Sequence, residues 1–163
     1  MIQMKIWTGG NYYMKIRTDY VTNSSSSSFI LGFKSKDEIT NIADELPLYW
    51  SDNAKLSVVS DIEEGITTKE RALKLYQECL WTTEWKFNGK DYWNLSREER
   101  ESKEYHNFIQ SKKDELSKEL SSKLDENNVI SIVEYEDHSD FESQLEHEIM
   151  PYMSNTIERI SHH

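Results

Sequence analysis

Hydrophobic residues recur along this chain with two different periods. Val129-Ile130-Ser131-Ile132-Val133-Glu134-Tyr135 is apolar on both faces for most of its length, which predicts a strand placed centrally in a sheet. Residues 14–22 and 29–33 read as two further strands, and Leu56-Ser57-Val58-Val59 as a short one. Elsewhere the spacing changes to three and four. Ile39, Ile42, Ala43 and Leu46 follow a capping box formed by Ser35 and Glu38, whose hydroxyl and carboxylate satisfy free N–H groups at a helix start; Pro47 ends that helix. Ala72, Leu73, Tyr76, Cys79 and Leu80 make the stripe behind a second box, Thr67 with Glu70.

A third box, Ser96 with Glu99, opens the longest helix, near 97–126. Its stripe of Tyr105, Phe108, Ile109, Leu116, Leu120 and Leu124 is narrow, so the helix packs along one side, and the stripe is also a candidate homodimer seam. Between these helices Asn88-Gly89 lies among aromatic flanks, a hairpin signal. Ser139, with Glu142 three residues on, starts a last helix with Phe141, Leu145, Ile149 and Tyr152 on its inner face. The sum is an α+β fold: a small mixed or antiparallel sheet packed against three or four helices. Residues 14–163 make one domain of ordinary size. Residues 1–13 are either an N-terminal extension or the first strand of a hairpin turned at Gly9-Gly10.

The formal net charge is -11, which disfavours direct binding to nucleic-acid backbones and leaves open a basic protein partner or a cation. Cys79 is the one cysteine, so an internal disulfide and a cysteine-rich zinc site are excluded; its place on the apolar side of a helix reads as a buried thiol. No apolar run approaches the roughly 20 residues that cross a bilayer, and no signal-peptide core opens the chain, so a cytoplasmic protein without a membrane contact is expected.

Three groups of residues have chemical potential. Thr22, Asn23 and the run Ser24-Ser25-Ser26-Ser27-Ser28 read as a loop inside the domain whose hydroxyls and N–H groups form an anion-binding nest, with Arg17 supplying charge. The run lacks a P-loop lysine, and a mobile loop fits it equally. The second group is C-terminal. His138, Glu142, Glu146, His147, His162 and His163 are ligand types for a divalent metal ion, yet the spacing does not make a His-Glu-x-x-His motif. A solvated acidic helix followed by an unstructured tail accounts for the same residues. No other cofactor is implied. The third group, Trp81, Trp85, Tyr92 and Trp93, has few basic neighbours and so suits packing or a protein partner better than nucleic acid.

Met14-Lys15-Ile16-Arg17-Thr18-Asp19-Tyr20-Val21-Thr22-Asn23, with the serines and Phe29, resembles the opening of a loose group of uncharacterised bacterial and phage proteins. Those open with a Lys-x-Arg-x-Asp-Phe/Tyr-Val-Thr-Asn-Ser-Ser-Ser-Ser-Ser-Phe stretch. The closing Ile160-Ser161-His162-His163 resembles an ending of the same group. The resemblance implies that Met14 is the natural start and that the setting is a mobile element. It transfers no activity to any residue. The leading expectation is a non-enzymatic, small acidic interaction protein that inhibits or regulates a host partner, with an anti-defence, CRISPR-inhibiting role as its sharpest form. The alternatives are a metal-dependent hydrolase or nuclease built on the C-terminal His and Glu residues, and a nucleotide- or phosphate-binding module built on the serines.

Overall fold

The structure is a computed structural model that describes residues 26–136 and 138–162. The strand expected at 14–22, and the choice between extension and strand for 1–13, lie outside the described residues. The fold is α+β, and its sheet is wholly antiparallel. Four strands stand in the order β2-β3-β1-β4: β1 is Ser26–Phe33, β2 Ile66–Thr67, β3 Val129–Glu136 and β4 Thr156–His162. β3 and β1 are the two inner strands, paired from Ser26 opposite Glu136 to Phe33 opposite Val129.

Six α-helices are found among the described residues. They are α1 (Lys36–Glu45), α2 (Asp52–Glu64), α3 (Lys69–Cys79), α4 (Arg97–Glu101), α5 (Lys103–Asp125) and α6 (Asp140–Gln144). They cover both faces of the sheet, which is why β1 is buried from Ser27 to Phe33. On one face Phe29, Leu31, Phe33, Val133 and Tyr135 pack with Ile39 and Ile42 of α1, Val58 and Ile62 of α2, and Leu145. On the other, Ile30, Ile130 and Ile160 pack with Ala72 of α3 and with Leu120 and Leu124 of α5. Tyr105, Leu120 and Leu124 of the α5 stripe are buried within the chain and Phe108, Ile109 and Leu116 are half-buried, with Gln77 of α3 donating to Ser117 Oγ at 2.7 Å. Among the described residues no helix is long and apolar enough to cross a membrane.

Several expected elements differ. Leu56-Ser57-Val58-Val59 is helical, inside α2. Ser51 Oγ accepts from Ala54 N at 3.2 Å, and Val58, Val59 and Ile62 bury one helical face, so packing overrides β-branched propensity. The long helix is broken at Ser102, which has extended backbone and caps α5 by accepting from Tyr105 N at 3.1 Å. Asn88 and Gly89 do turn with positive φ, 50° and 78°, but only Phe87 and Lys90 pair across the turn. Both flanks pass into 3₁₀ turns, Thr82–Glu84 and Tyr92–Asn94, because Phe87 is drawn onto Tyr105 and Phe108. The Ser96 and Glu99 box is complete. Thr68, not Thr67, caps α3, since Thr67 pairs with Ile130. Glu38 accepts from Lys34 N, leaving Ser35 without a side-chain cap bond.

The C-terminal end departs furthest from expectation. α6 gives way to one π-turn, Leu145–Ile149, and a 3₁₀ turn, Met150–Tyr152. That change of pitch buries Met150 and leaves Tyr152 81% exposed, so Tyr152 is not on the inner face. The tail is not unstructured. It forms β4, which pairs antiparallel with β1 and brings Arg159 opposite Phe29.

Candidate functional site

The loop expected across the serines fails at Ser26, Ser27 and Ser28, which begin β1. Ser27 and Ser28 are buried, and neighbouring strands satisfy the backbone that a loop would offer to an anion. Ser24, Ser25, Thr22, Asn23 and Arg17 lie outside the described residues. The antiparallel register places Ser27 on the same face as Phe29, toward the π-turn. There its hydroxyl donates to Glu146 Oε1 at 2.8 Å. Arg159, reaching over from β4, donates to Ser27 Oγ through Nε at 3.2 Å and Nη2 at 3.1 Å. The guanidinium lies 3.5 Å from Glu146 Oε1 and 5.7 Å from the centre of the Phe29 ring.

Glu146 is 1% exposed, so its charge is removed from water. Such a group is tolerated only with opposite charge and donors close by, which Arg159 and Ser27 supply. Its second oxygen, Oε2, has no hydrogen-bond partner among the described residues. His147 Nε2, also buried and without a hydrogen bond among the described residues, stands 3.5 Å from it. The two atoms are close enough for an ion pair but poorly aligned for a hydrogen bond. Ser27 therefore bridges a carboxylate and a guanidinium, and its proton is directed at Glu146. A serine nucleophile would have its proton directed at an imidazole.

Among the described residues the metal candidates are dispersed. His138, in the turn after β3, pairs with Glu136 at 2.5 Å near the surface. Glu142 accepts the Ser139 hydroxyl at 3.3 Å beside the α6 cap. Glu146 and His147 belong to the buried cluster. His162 ends β4, and its side chain and His163 lie outside what the structure describes. Among the described residues no three His, Cys, Asp or Glu side chains group as metal ligands. Arg159 was missing from every sequence-based set. The one local signal was the β-branched spacing of Thr156, Ile157 and Ile160; its partner Ser27 is 132 residues away.

The aromatic candidates behave differently. Phe87 is the anchor of this segment, edge-on to Tyr105 at 5.4 Å and tilted on Phe108 at 5.3 Å. Arg100 donates to Leu95 O at 2.9 Å and stacks over the Tyr92 ring at 5.0 Å. Lys90 pairs with Glu99 at 2.6 Å. On this framework Trp93 is 77% exposed and meets Tyr92 edge-on, while Trp81 is 48% exposed. Trp85 and Tyr92 are half-buried. No family model, curated protein or solved structure matches this chain. Function therefore has to be argued from these side chains alone. Cys79 is half-buried, and burial pushes its thiol up, away from the reactive thiolate.

Proposed function

We propose that this chain is a small acidic interaction protein of the cytoplasm that inhibits or regulates a protein partner through the segment around Trp93. The observation that carries the reading is the contrast within that segment. Phe87 and Leu95 fix it to the body, while Trp93 is left 77% exposed on a rigid turn. A Trp held on a turn gives large contact area with little loss of side-chain entropy. The net charge of -11 favours a basic partner and opposes non-specific contact with nucleic acid. The resemblance of the N-terminal stretch to bacterial and phage proteins supports a mobile-element setting, with inhibition of a host defence complex as the sharpest version.

Affinity capture from a bacterial lysate, comparing the wild type with Trp93→Ala, tests the surface. The expected result is a partner that is retained by the wild type, lost by the variant, and inhibited when the purified proteins are mixed. Trp93→Ala should leave stability within about 0.5 kcal/mol of the wild type, whereas Phe87→Ala should cost about 3 kcal/mol, which separates contact from folding. Capture that survives Trp93→Ala would discard this surface. Phage plating on hosts with active CRISPR immunity tests the sharper version: unchanged immunity on expression counts against it.

A further inference from the structure

α1 and α2 are joined by a turn that leaves two adjacent apolar side chains in solvent. Trp50 N donates to Pro47 O at 3.0 Å, so Leu48 and Tyr49 are the central residues of a β-turn. Leu48 is 92% exposed and Tyr49 61%. The turn is pinned on both sides. Before it, Leu46 is buried in the core. After it, the Trp50 ring lies tilted on Phe141 of α6 with centroids 4.7 Å apart, and Ser51 caps α2. Leu48 and Tyr49 therefore stand out from a fixed frame. A surface already held in one conformation loses little entropy when a partner covers it.

The charges on either side of the turn have one sign. Residues 43–54 contain Asp44, Glu45 and Asp52 and no lysine or arginine; Lys55 is the next base along the chain. All three carboxylates are exposed. α6, in contact through Phe141, brings Asp140 and Glu142 on either side of that ring, and residues 138–146 contain no lysine or arginine. Among the described residues none of these five carboxylates forms an ion pair with a lysine or arginine. The segment around Trp93 differs: Lys86 pairs there with Asp91, Lys90 with Glu99 and Arg97 with Glu101. Unmatched carboxylates thus flank Leu48 and Tyr49, whereas Asp91, Glu99 and Glu101 already have partners. An apolar tip with free carboxylates beside it is complementary to an apolar surface bordered by cations.

We propose that this turn is a second contact surface, where Leu48 and Tyr49 seat in an apolar depression of a partner protein whose rim carries lysine or arginine, and those cations meet Asp44, Glu45 and Asp52. The proposal rests on the interaction reading above and names the chemistry of the partner. Burial of the two side chains supplies affinity, and the unmatched carboxylates supply selectivity and a faster encounter at low salt.

The test uses the full chain and a short amphipathic helical peptide of leucine and lysine, which presents an apolar face bordered by ammonium groups. The leucine–glutamate peptide is its control. In NMR titrations the lysine peptide should shift the Leu48 methyls and the Tyr49 ring, and the glutamate peptide should not. Leu48→Ser combined with Tyr49→Ser should weaken binding roughly tenfold. Asp44→Asn, Glu45→Gln and Asp52→Asn together should weaken it and flatten its salt dependence. All five positions are exposed, and an unchanged melting curve shows that the fold is kept. Absence of binding, equal binding by either variant, or shifts centred elsewhere would each overturn the proposal. So would a Tyr49 ring already shielded from solvent in the free chain, which would mean that another part of this chain covers the turn. Concentration-dependent self-association abolished by the serine variant would assign the turn to a second copy, and would also overturn it. Partner capture that needs Trp93 but survives the serine variant refutes the turn alone and leaves the interaction reading standing.

Discussion

Ser27 shows how much one small polar side chain can organise. It is fully buried in the most enclosed strand, yet its hydroxyl is saturated, donating to Glu146 and accepting from Arg159. Removing that oxygen leaves a buried carboxylate with one fewer donor. Ser27→Ala should therefore cost about 1–3 kcal/mol, read as a lowered urea midpoint with unchanged m. A change within about 0.5 kcal/mol would mean that Arg159 closes the gap unaided. Glu158 argues in the opposite direction. Its folded carboxyl titrates above its unfolded value, chiefly because it is buried. Its contribution is then fully present below the ordinary carboxylate range, about pH 4, and is lost as pH rises through the raised folded value. Glu158→Gln should gain stability relative to the wild type between pH 4 and pH 7, measured by chemical denaturation at both. A constant difference would remove the burial argument.

At the scale of elements, hydroxyl caps decide where helices begin. Ser51, Thr68, Ser96, Ser102 and Ser139 each accept a backbone N–H three residues on. Three of these starts, at Thr68, Ser96 and Ser139, were readable as boxes or caps to within one residue, whereas Ser51 was hidden by the strand expected at 56–59. Ser102 was not readable either, because the strong helix formers Arg97-Glu98-Glu99-Arg100-Glu101 and Lys103-Glu104 flank it with no breaker between them. Its Oγ both accepts from Tyr105 N and donates to Glu99 O at 2.7 Å, which ends α4 and begins α5 at one residue. Ser102→Ala should cost about 1 kcal/mol and speed amide exchange in the first turn of α5. If exchange there is unchanged, a continuous helix is as stable as the broken one. Gly65 is fixed by crowding: a Cβ there would lie 2.1 Å from Ile132 O, so β2 reaches β3 only through glycine.

For the molecule as a whole, the governing quantity is the net charge of -11. Exposed ion pairs such as Arg97 with Glu101 and Lys74 with Glu78 contribute little in water, so screening them costs little. Screening the self-repulsion of the excess acid gains more. Adding about 0.5 M sodium chloride should therefore raise the melting temperature by about 2–4 °C, on the order of 1 kcal/mol for a chain of this size. A lowered melting temperature would show that the pairs outweigh the repulsion.

By itself the sequence determined the elements whose cause is local. β3 was readable from its unbroken apolar run, α1, α3 and α5 from three-and-four spacing, and the Asn88-Gly89 turn from its need for positive φ. Tertiary structure decided the rest. α2 exists because a helical face of Val58, Val59 and Ile62 finds a core, although β-branched residues alone suggest a strand. β4 exists because β1 has a second edge to pair with, which no tail residue reveals. The cluster of Ser27, Glu146 and Arg159 joins residues more than a hundred positions apart. Local periodicity carries no information about which distant strand will lie alongside, because register is set by the shared core and not by either strand alone.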